Sequence, residues 1–251
     1  MKITISAIAL LSLAAVGASA QDHAQTSRAF DMRGFDRIEM SGCDIATVKL
    51  GPVFGVTALG RADNIDNLRI DTSGGALRIR RKDNSCNGHD RRVAIEITLP
   101  SLKAIDTSGA AELTLPMLDV PGFDARTSGA SVLRVSGLRG GWARFGSSGA
   151  SQVTVQDLQA GRVVLDLSGA SVQRVEGAAR RLTVDASGTA NADMRRLSAP
   201  DAKFSASGMA NIRAAATQAA QVDASGMANV AVATPAHCTV SKSGLARVTC
   251  G

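Results

Sequence analysis

The stretch Ser128-Gly129-Ala130-Ser131 decides the fold, because its Ser-Gly step recurs along the second half of the chain. The other steps of the series begin at Ser108, Ser148, Ser168, Ser187, Ser207, Ser225 and Ser243. Successive steps lie 18 to 20 residues apart. A fixed period of about 20 residues is typical of stacked repeats, in which each unit buries its apolar side against its neighbours.

Apolar and polar residues alternate around each Ser-Gly step. With the serine as position zero, positions −3, +5 and +7 are mostly apolar, as in Ala125, Leu133 and Val135, whereas positions −2 and +4 are mostly polar. This alternation has the two-residue period of a half-buried strand rather than the 3.6-residue period of a helix. It also predicts that the glycine at +1 faces inward, at a corner too tight for a Cβ atom.

The rest of each period contains turn residues and a further apolar residue near position +10, such as Leu138 or Leu158. Such a residue indicates a short third wall. Three strand segments in about 20 residues predict an all-β fold: a right-handed, single-stranded parallel β-helix, or β-solenoid, with coils of about 20 residues.

The N-terminus predicts export. Residues 1–20 contain the basic Lys2, an apolar core over residues 3–16 and the small-residue site Ala18-Ser19-Ala20. These are the parts of a secretory signal peptide, with cleavage expected after Ala20. No later stretch is long and apolar enough for a transmembrane helix. We therefore expect a periplasmic or secreted protein without a transmembrane segment in the mature chain.

The mature chain is expected to form one domain. Residues 21–251 are predicted to be a single β-solenoid. Short strand patterns without the clean period predict irregular coils over about residues 28–101, which would cap the regular coils of about residues 102–250.

The formal net charge of +6 favours anionic partners. For an exported protein, such partners are envelope or extracellular polysaccharides, lipid head groups or acidic glycans, and not nucleic acid. A charged surface that only keeps the protein soluble is the alternative.

Four cysteines, Cys43, Cys86, Cys238 and Cys250, lie in the exported part, where disulfides persist. Three pairings are possible. Cys43 with Cys86 and Cys238 with Cys250 is the favoured pairing, because each bond would staple one end of the solenoid; buried free thiols are the alternative. The cysteine spacings do not match a zinc site, and the histidines are scattered. We expect neither a metal site nor a cofactor.

The candidate ligand-binding residues lie in the C-terminal coils. Position +4 carries Asn191, Asn211 and Asn229 in succession, and position +2 carries Met209 and Met227. Stacked asparagines about 4.8 Å apart can hydrogen-bond along the stack, so a structural role competes with ligand binding.

Asp166 and Asp185 are the one catalytic candidate, because both occupy position −2 on successive coils. Paired carboxylates can cleave a glycosidic bond. Sugar-cleaving sites usually also offer aromatic platforms, and the chain has no tyrosine and one tryptophan. We therefore expect no catalytic residues.

Several segments carry a resemblance to a known family. They are residues 34–42, Leu77-Arg78-Ile79, residues 93–102 and the Ser-Gly-x-Ala-Asn coils that end at Ile212 and Val230. On these segments the chain resembles the putative auto-transporter adhesin, head GIN domain family, over nearly the whole mature chain. The resemblance implies an exported β-helical domain with no established catalytic residues.

Taken together, these features predict a non-enzymatic, adhesin-like binding protein of the cell envelope. A repeated face suits a repetitive partner such as a polysaccharide, and a surface protein is the other partner considered. One alternative is a polysaccharide-active enzyme that uses Asp166 and Asp185. Another is a structural or assembly module that pairs through the edge strand Val248-Thr249-Cys250. The oligomeric state stays open.

Overall fold

A computed structural model describes residues 25–83, 86, 91–233 and 237–251. The predicted signal peptide, residues 1–20, lies outside these described residues. The described chain is nearly all-β, with 68 % strand and 3 % helix, and its parallel coils stack into a β-solenoid of about seven turns. The fold class predicted from the 20-residue period is confirmed.

The described residues form 21 strands and one short helix. The N-terminal elements are β1 (Gln25–Phe30), β2 (Arg37–Gly42), β3 (Ile45–Leu50), β4 (Gly55–Arg61), α1 (Ala62–Asp66), β5 (Leu68–Ser73), β6 (Ala76–Arg81) and β7 (Ala94–Leu99). The next are β8 (Ala104–Gly109), β9 (Glu112–Asp119), β10 (Gly122–Thr127), β11 (Val132–Ser147), β12 (Gln152–Leu167) and β13 (Val172–Ala186). The last are β14 (Asn191–Met194), β15 (Leu197–Ser198), β16 (Asp201–Ala206), β17 (Asn211–Ala215), β18 (Ala219–Ala224), β19 (Asn229–Ala233), β20 (His237–Lys242) and β21 (Arg247–Cys250).

Two parallel walls meet at the Ser-Gly corner of every regular coil. The first wall consists of the strands that lead into the corner: β8, β10, the C-terminal parts of β11, β12 and β13, then β16, β18 and β20. The second wall consists of the strands that leave it: β9, the N-terminal parts of β11, β12 and β13, then β14, β17, β19 and β21. A short third wall forms where the long strands turn back, as at Leu138 and Leu158.

Alternate residues of both walls fill the interior. Phe145, Leu165 and Phe204 on the first wall and Leu133 and Val153 on the second are at most 1 % exposed. In a strand, every second side chain points to the same face, so apolar residues that alternate with polar ones all reach the interior. Branched and aromatic side chains also favour strands.

The corner glycines face outward, so the inward orientation expected from the alternation is wrong. Gly129 is exposed and has φ of +68°, a left-handed conformation that glycine adopts without strain. The change of direction interrupts the alternation, and the buried Ser131 resumes it. A Cβ atom at Gly129 would lie 2.5 Å from the carbonyl oxygen of Gly109 on the preceding coil. The corner therefore needs glycine for its conformation and for its contact.

The N-terminal coils stack out of chain order. β2 pairs in parallel with β6 on one side and with β8 on the other, and β3 pairs in the same way with β7 and β9. The coil of β6 and β7 therefore lies outside the coil of β2 and β3. Antiparallel pairs β1–β4, β4–β7 and β5–β6 complete this end. As a result, Ser41-Gly42 stacks directly against Ser108-Gly109.

A buried ion pair holds the N-terminal coils together. Arg81 Nε donates a hydrogen bond to Asp44 Oδ2 at 3.0 Å, and both side chains are 1 % exposed. Val93 N donates to Asp44 Oδ1 at 2.9 Å. These bonds join the last residue of β6 to the residues that immediately precede β3 and β7, and each satisfies a polar group that burial removes from water.

Both disulfides form as predicted. Cys43 and Cys86 are bonded with their Cα atoms 5.8 Å apart, and Cys238 and Cys250 with theirs 6.4 Å apart. All four cysteines lie among the described residues, and none is a free thiol. The free-thiol alternative is therefore wrong.

We expect Gly129→Ala to lower the free energy of unfolding by about 3 kcal/mol. The left-handed backbone costs a side chain about 1–2 kcal/mol, and the contact with Gly109 adds the cost of overpacking. Gly74→Ala is the matched control, because Gly74 has φ of +58° and a Cβ atom added there would meet nothing within 4 Å. Urea unfolding of both variants measures the difference; equal losses would show that the contact between coils adds nothing.

We expect Asp44→Ala to lower the free energy of unfolding by about 3–5 kcal/mol, because it leaves the buried Arg81 charge without its partner. The control is Asp31→Ala, which removes a pair between Arg33 and Asp31 whose side chains are 77 % and 80 % exposed. This control should unfold almost like the parent chain. A small effect of Asp44→Ala in urea titrations would contradict the structural role of the pair.

Candidate functional site

A long groove of about 800 Å³ runs along the outer face of the first wall, beside the Ser-Gly corner. Two columns of side chains line it, one from position −2 and one from the corner serines. The carboxylates of the groove are Asp106, Asp166, Asp185 and Asp223. Its corner serines are Ser128, Ser148, Ser168, Ser187, Ser207, Ser225 and Ser243. We call this feature the Ser-Asp groove.

The register of the first wall builds the acidic column. Asp166 pairs with Asp185, Asp185 with Ser205, and Ser205 with Asp223. Residues paired in this way point to the same side of the sheet on rungs about 4.8 Å apart. Over the four rungs from Asp166 to Asp223, the groove therefore presents hydrogen-bond acceptors at a regular spacing.

The corner backbone fixes the serine column. Ser148 N donates to the Thr127 carbonyl oxygen at 2.9 Å, and Ser168 N donates to that of Ser147 at 2.9 Å. Behind the corner, Thr127 Oγ1 donates to Ser151 Oγ at 3.2 Å inside the solenoid. The serine hydroxyls thus stand on a backbone that is hydrogen-bonded from coil to coil.

Arginine neutralises only part of the acidic column. Arg144 Nε donates to Asp166 Oδ2 at 2.8 Å. Gln221 Nε2 lies 3.4 Å from Asp223 Oδ2, and Asp185 has no ion pair with the described residues. Asp185 and Asp223 are therefore carboxylate acceptors without an ion pair among the described residues, although Arg126, Arg144 and Lys242 also line the groove.

The structure places the catalytic candidates Asp166 and Asp185 on adjacent rungs, as the repeat predicts. Arg144 forms an ion pair with Asp166, however, and further aspartate and serine side chains continue along the groove. Within the described residues, no group of three or more His, Cys, Asp or Glu side chains is arranged to hold a metal ion.

The candidate ligand residues stack in register after the corner, on the opposite side from the Ser-Asp groove. Asn191, Asn211 and Asn229 occupy successive rungs of the second wall. Met209 and Met227 are 56 % and 58 % exposed. No hydrogen bond joins the three amides to one another in the described chain, and Asn211 Oδ1 is buried without a partner. Ligand binding by these five residues stays a prediction.

A second cavity, of about 390 Å³, contains charged side chains from the second wall and its neighbouring turn. Arg195 donates to Asp193 from Nε at 2.9 Å and from Nη2 at 2.8 Å. These hydrogen bonds hold the pKa of Asp193 at about 2, below its usual 3.8, although partial burial raises it. Arg196 likewise pairs with Glu176 at 3.1 Å. The acids of this cavity are therefore neutralised within the protein.

The fold and the groove define a class: parallel β-solenoids that expose a repetitive surface groove. The family described as putative auto-transporter adhesin, head GIN domain, matches residues 34–235, and the chain belongs to this family. A search of curated proteins finds no match. Membership in an adhesin family supports a role in binding.

Solved structures share the fold at low sequence identity. A putative adhesin from Parabacteroides merdae has a TM-score of 0.85 at 14 % identity and covers 92 % of this chain and 97 % of its own. A putative lipid binding protein from Parabacteroides distasonis scores 0.82 at 16 % identity, covering 92 % and 98 %. A putative adhesin from Parabacteroides distasonis scores 0.81 at 16 % identity, covering 91 % and 98 %. The described residues contain no helix with both the length and the apolar character needed to span a bilayer.

We expect Arg195→Gln to raise the pKa of Asp193 from about 2 toward 3.8, because it removes the two strongest hydrogen bonds to the carboxylate. In the parent chain, the lowered pKa contributes stability that is present above pH 4 and is lost as the pH falls through about 2. NMR titration of the Asp193 carboxyl measures the change. Arg213→Gln, which removes a neighbouring charge without a hydrogen bond to Asp193, is the control. An unchanged Asp193 titration in Arg195→Gln would contradict the assigned cause.

Proposed function

We propose that this chain is an exported, non-enzymatic, adhesin-like protein that binds an extended polysaccharide of the envelope or the extracellular medium in the Ser-Asp groove. The adhesin family supports a binding role. Two disulfides support export, because such bonds persist in the periplasm or outside the cell. The predicted signal peptide agrees with either location.

The continuity of the groove is the observation that carries the proposal. It extends from the coil of Asp106 to that of Ser243, with a corner serine on every rung from Ser128 onward and carboxylates at Asp106, Asp166, Asp185 and Asp223. Sugar hydroxyls donate to carboxylates and exchange hydrogen bonds with serine hydroxyls. A polymer of similar units would meet similar partners along its length, so many weak contacts add up to a stable complex.

The distribution of acids favours binding over catalysis. A glycosidase needs one acid and one nucleophile or base around a single bond. Here Arg144 engages Asp166, while Asp185 belongs to a column that continues with Ser205 and Asp223. This arrangement supports a repeated contact surface rather than a single reaction centre.

We propose a second contact beside the groove, the flanking contact, formed by the residues that stack after the corner: Asn191, Asn211, Asn229, Met209 and Met227. Met209 and Met227 lie on adjacent coils with more than half of each side chain in solvent. They stand beside Asn211 and Asn229, and this combination of apolar and amide groups suits the mixed surface of a sugar ring. A ligand wide enough to cover the corner would touch both sites.

We expect Asp185→Asn/Asp223→Asn to weaken glycan binding at least about tenfold, since it removes two charged acceptors without freeing an arginine. The measurement is a glycan-array screen of the mature, oxidised protein, followed by Kd values for the hits. Asp31→Asn/Asp63→Asn is the control, because it removes the same charge from exposed acids outside the groove.

Other outcomes would assign a different binding site, activity or ligand. Loss of binding only in Asn211→Ala/Asn229→Ala would move the site to the flanking contact. Cleavage of a bound glycan that stops in Asp166→Asn and in Asp185→Asn would establish the enzyme. An array on which the parent chain binds nothing would overturn a glycan ligand.

A further inference from the structure

Positive charge concentrates at a second corner, where the third wall turns into the first wall. Arg139, Trp142, Arg162, Arg180 and Arg181 occupy it, and we call these five residues the Arg-Trp corner. Trp142 pairs in register with Arg162, and Arg162 with Arg181. An indole and two guanidinium groups therefore project from three consecutive rungs, about 4.8 Å apart.

None of these four arginines has a hydrogen bond or an ion pair with the described part of the chain, whereas Arg144 and Arg195 are paired with acids. Two acids are close in register, since Asp119 pairs with Arg139 and Asp201 with Arg181. Neither acid forms an ion pair with its neighbouring arginine, and all four side chains are exposed. Like charges on adjacent rungs repel each other, and a bound anion relieves that repulsion.

Trp142 provides an independent reason to regard this corner as a binding site. It is the only tryptophan of the chain, and it is 45 % exposed. The indole lies across Gly122 on the preceding coil, where a Cβ atom would come within 2.1 Å of the ring. Glycine at this position lets the ring rest on the backbone while much of its surface stays accessible. A partly exposed indole held in this way offers a platform for a flat ligand.

We propose that the Arg-Trp corner binds the acidic units of an anionic polysaccharide, whose carboxylate or sulfate groups the arginines hold while a sugar ring stacks on Trp142. Guanidinium groups match the planar, two-oxygen edge of such anions. The pair of disulfides favours an extracellular polysaccharide over nucleic acid, because disulfides are rare in compartments that hold nucleic acid.

The Arg-Trp corner shares no residue with the Ser-Asp groove, although both lie on the first wall. Arg144 is the groove residue of β11 that is nearest to Trp142, and it lies two residues further along the strand. This separation corresponds to about 7 Å. The proposal therefore does not rest on polysaccharide binding in the groove.

Trp142 makes the test specific to this corner, because no other indole contributes fluorescence. Polygalacturonate supplies carboxylates, dextran sulfate supplies sulfates, and dextran is the neutral control. We expect at least one acidic polymer to change the intensity and wavelength of the Trp142 emission in a saturable way, and dextran to leave them unchanged. The acidic polymer that saturates the signal at the lower concentration shows whether the corner prefers carboxylate or sulfate.

Two sets of variants separate a built site from general charge attraction. Arg162→Gln/Arg181→Gln should raise the Kd at least tenfold. Arg213→Gln/Arg247→Gln removes the same charge from the second wall and should change the Kd less than twofold. By calorimetry, Trp142→Ala should also weaken binding at least tenfold, and Trp142→Phe should restore part of the affinity. Circular dichroism checks that all variants keep the β-solenoid.

Several results would overturn the proposal. One is an equal loss of affinity in the two double arginine variants. Another is the absence of a fluorescence response to either acidic polymer. A third is binding of single-stranded DNA or phosphatidylglycerol vesicles as tight as that of the acidic polymer. Asp185→Asn/Asp223→Asn should bind the acidic polymer at least as tightly as the parent. The two proposals can therefore fail separately, because each has a variant that leaves the other site intact.

Discussion

The hydrogen bond that links one Ser-Gly corner to the next is the constraint on which the structure depends. In each regular coil, the residue after the glycine donates its N–H to the glycine carbonyl of the preceding coil, as Met209 N does to Gly188 O at 2.8 Å. Both walls therefore stay hydrogen-bonded through the turn, where a chain usually leaves its sheet. The same carbonyl occupies the space of a Cβ atom, so the bond and the glycine require each other. Register is fixed at the corner and passes from there into both walls.

Coils of unequal length show how strongly the corner controls register. The step from Ser168 to Ser187 is 19 residues rather than 20, and β12 and β13 absorb the difference by a register shift between Val155 and Leu158. Before and after that shift, the walls pair without further irregularity, so Asp166 still meets Asp185. Length is thus adjusted near the third wall, away from the Ser-Asp groove. The groove stays straight although the repeats differ.

Much of the fold could be predicted from the sequence, because the repeat reflects constraints that act on neighbouring residues. A period of about 20 residues and a two-residue alternation define the coils, and the end positions of the cysteines define their pairs. The orientation of Gly129 could not be obtained in the same way, because alternation describes a strand and says nothing of a residue whose φ changes sign. The stacking of β2 between β6 and β8 and the Arg81–Asp44 bond depend on contacts between distant residues that no period records. The acids and serines of the groove were visible in sequence, but the concave surface between them was not.

The inward and outward residues of a coil have different roles, which explains how one wall can carry two different surfaces. Inward residues and corner glycines maintain the stack, whereas outward side chains of the first wall take no part in the backbone hydrogen bonds. Position −2 can therefore change from Asp106 to Arg126 to Gly146 on successive rungs without disturbing the interior. The wall has acidic groups at one border and arginines with an indole at the other, both at the same rung spacing. Because the spacing belongs to the backbone, a change of ligand chemistry requires new outward side chains and no change of fold.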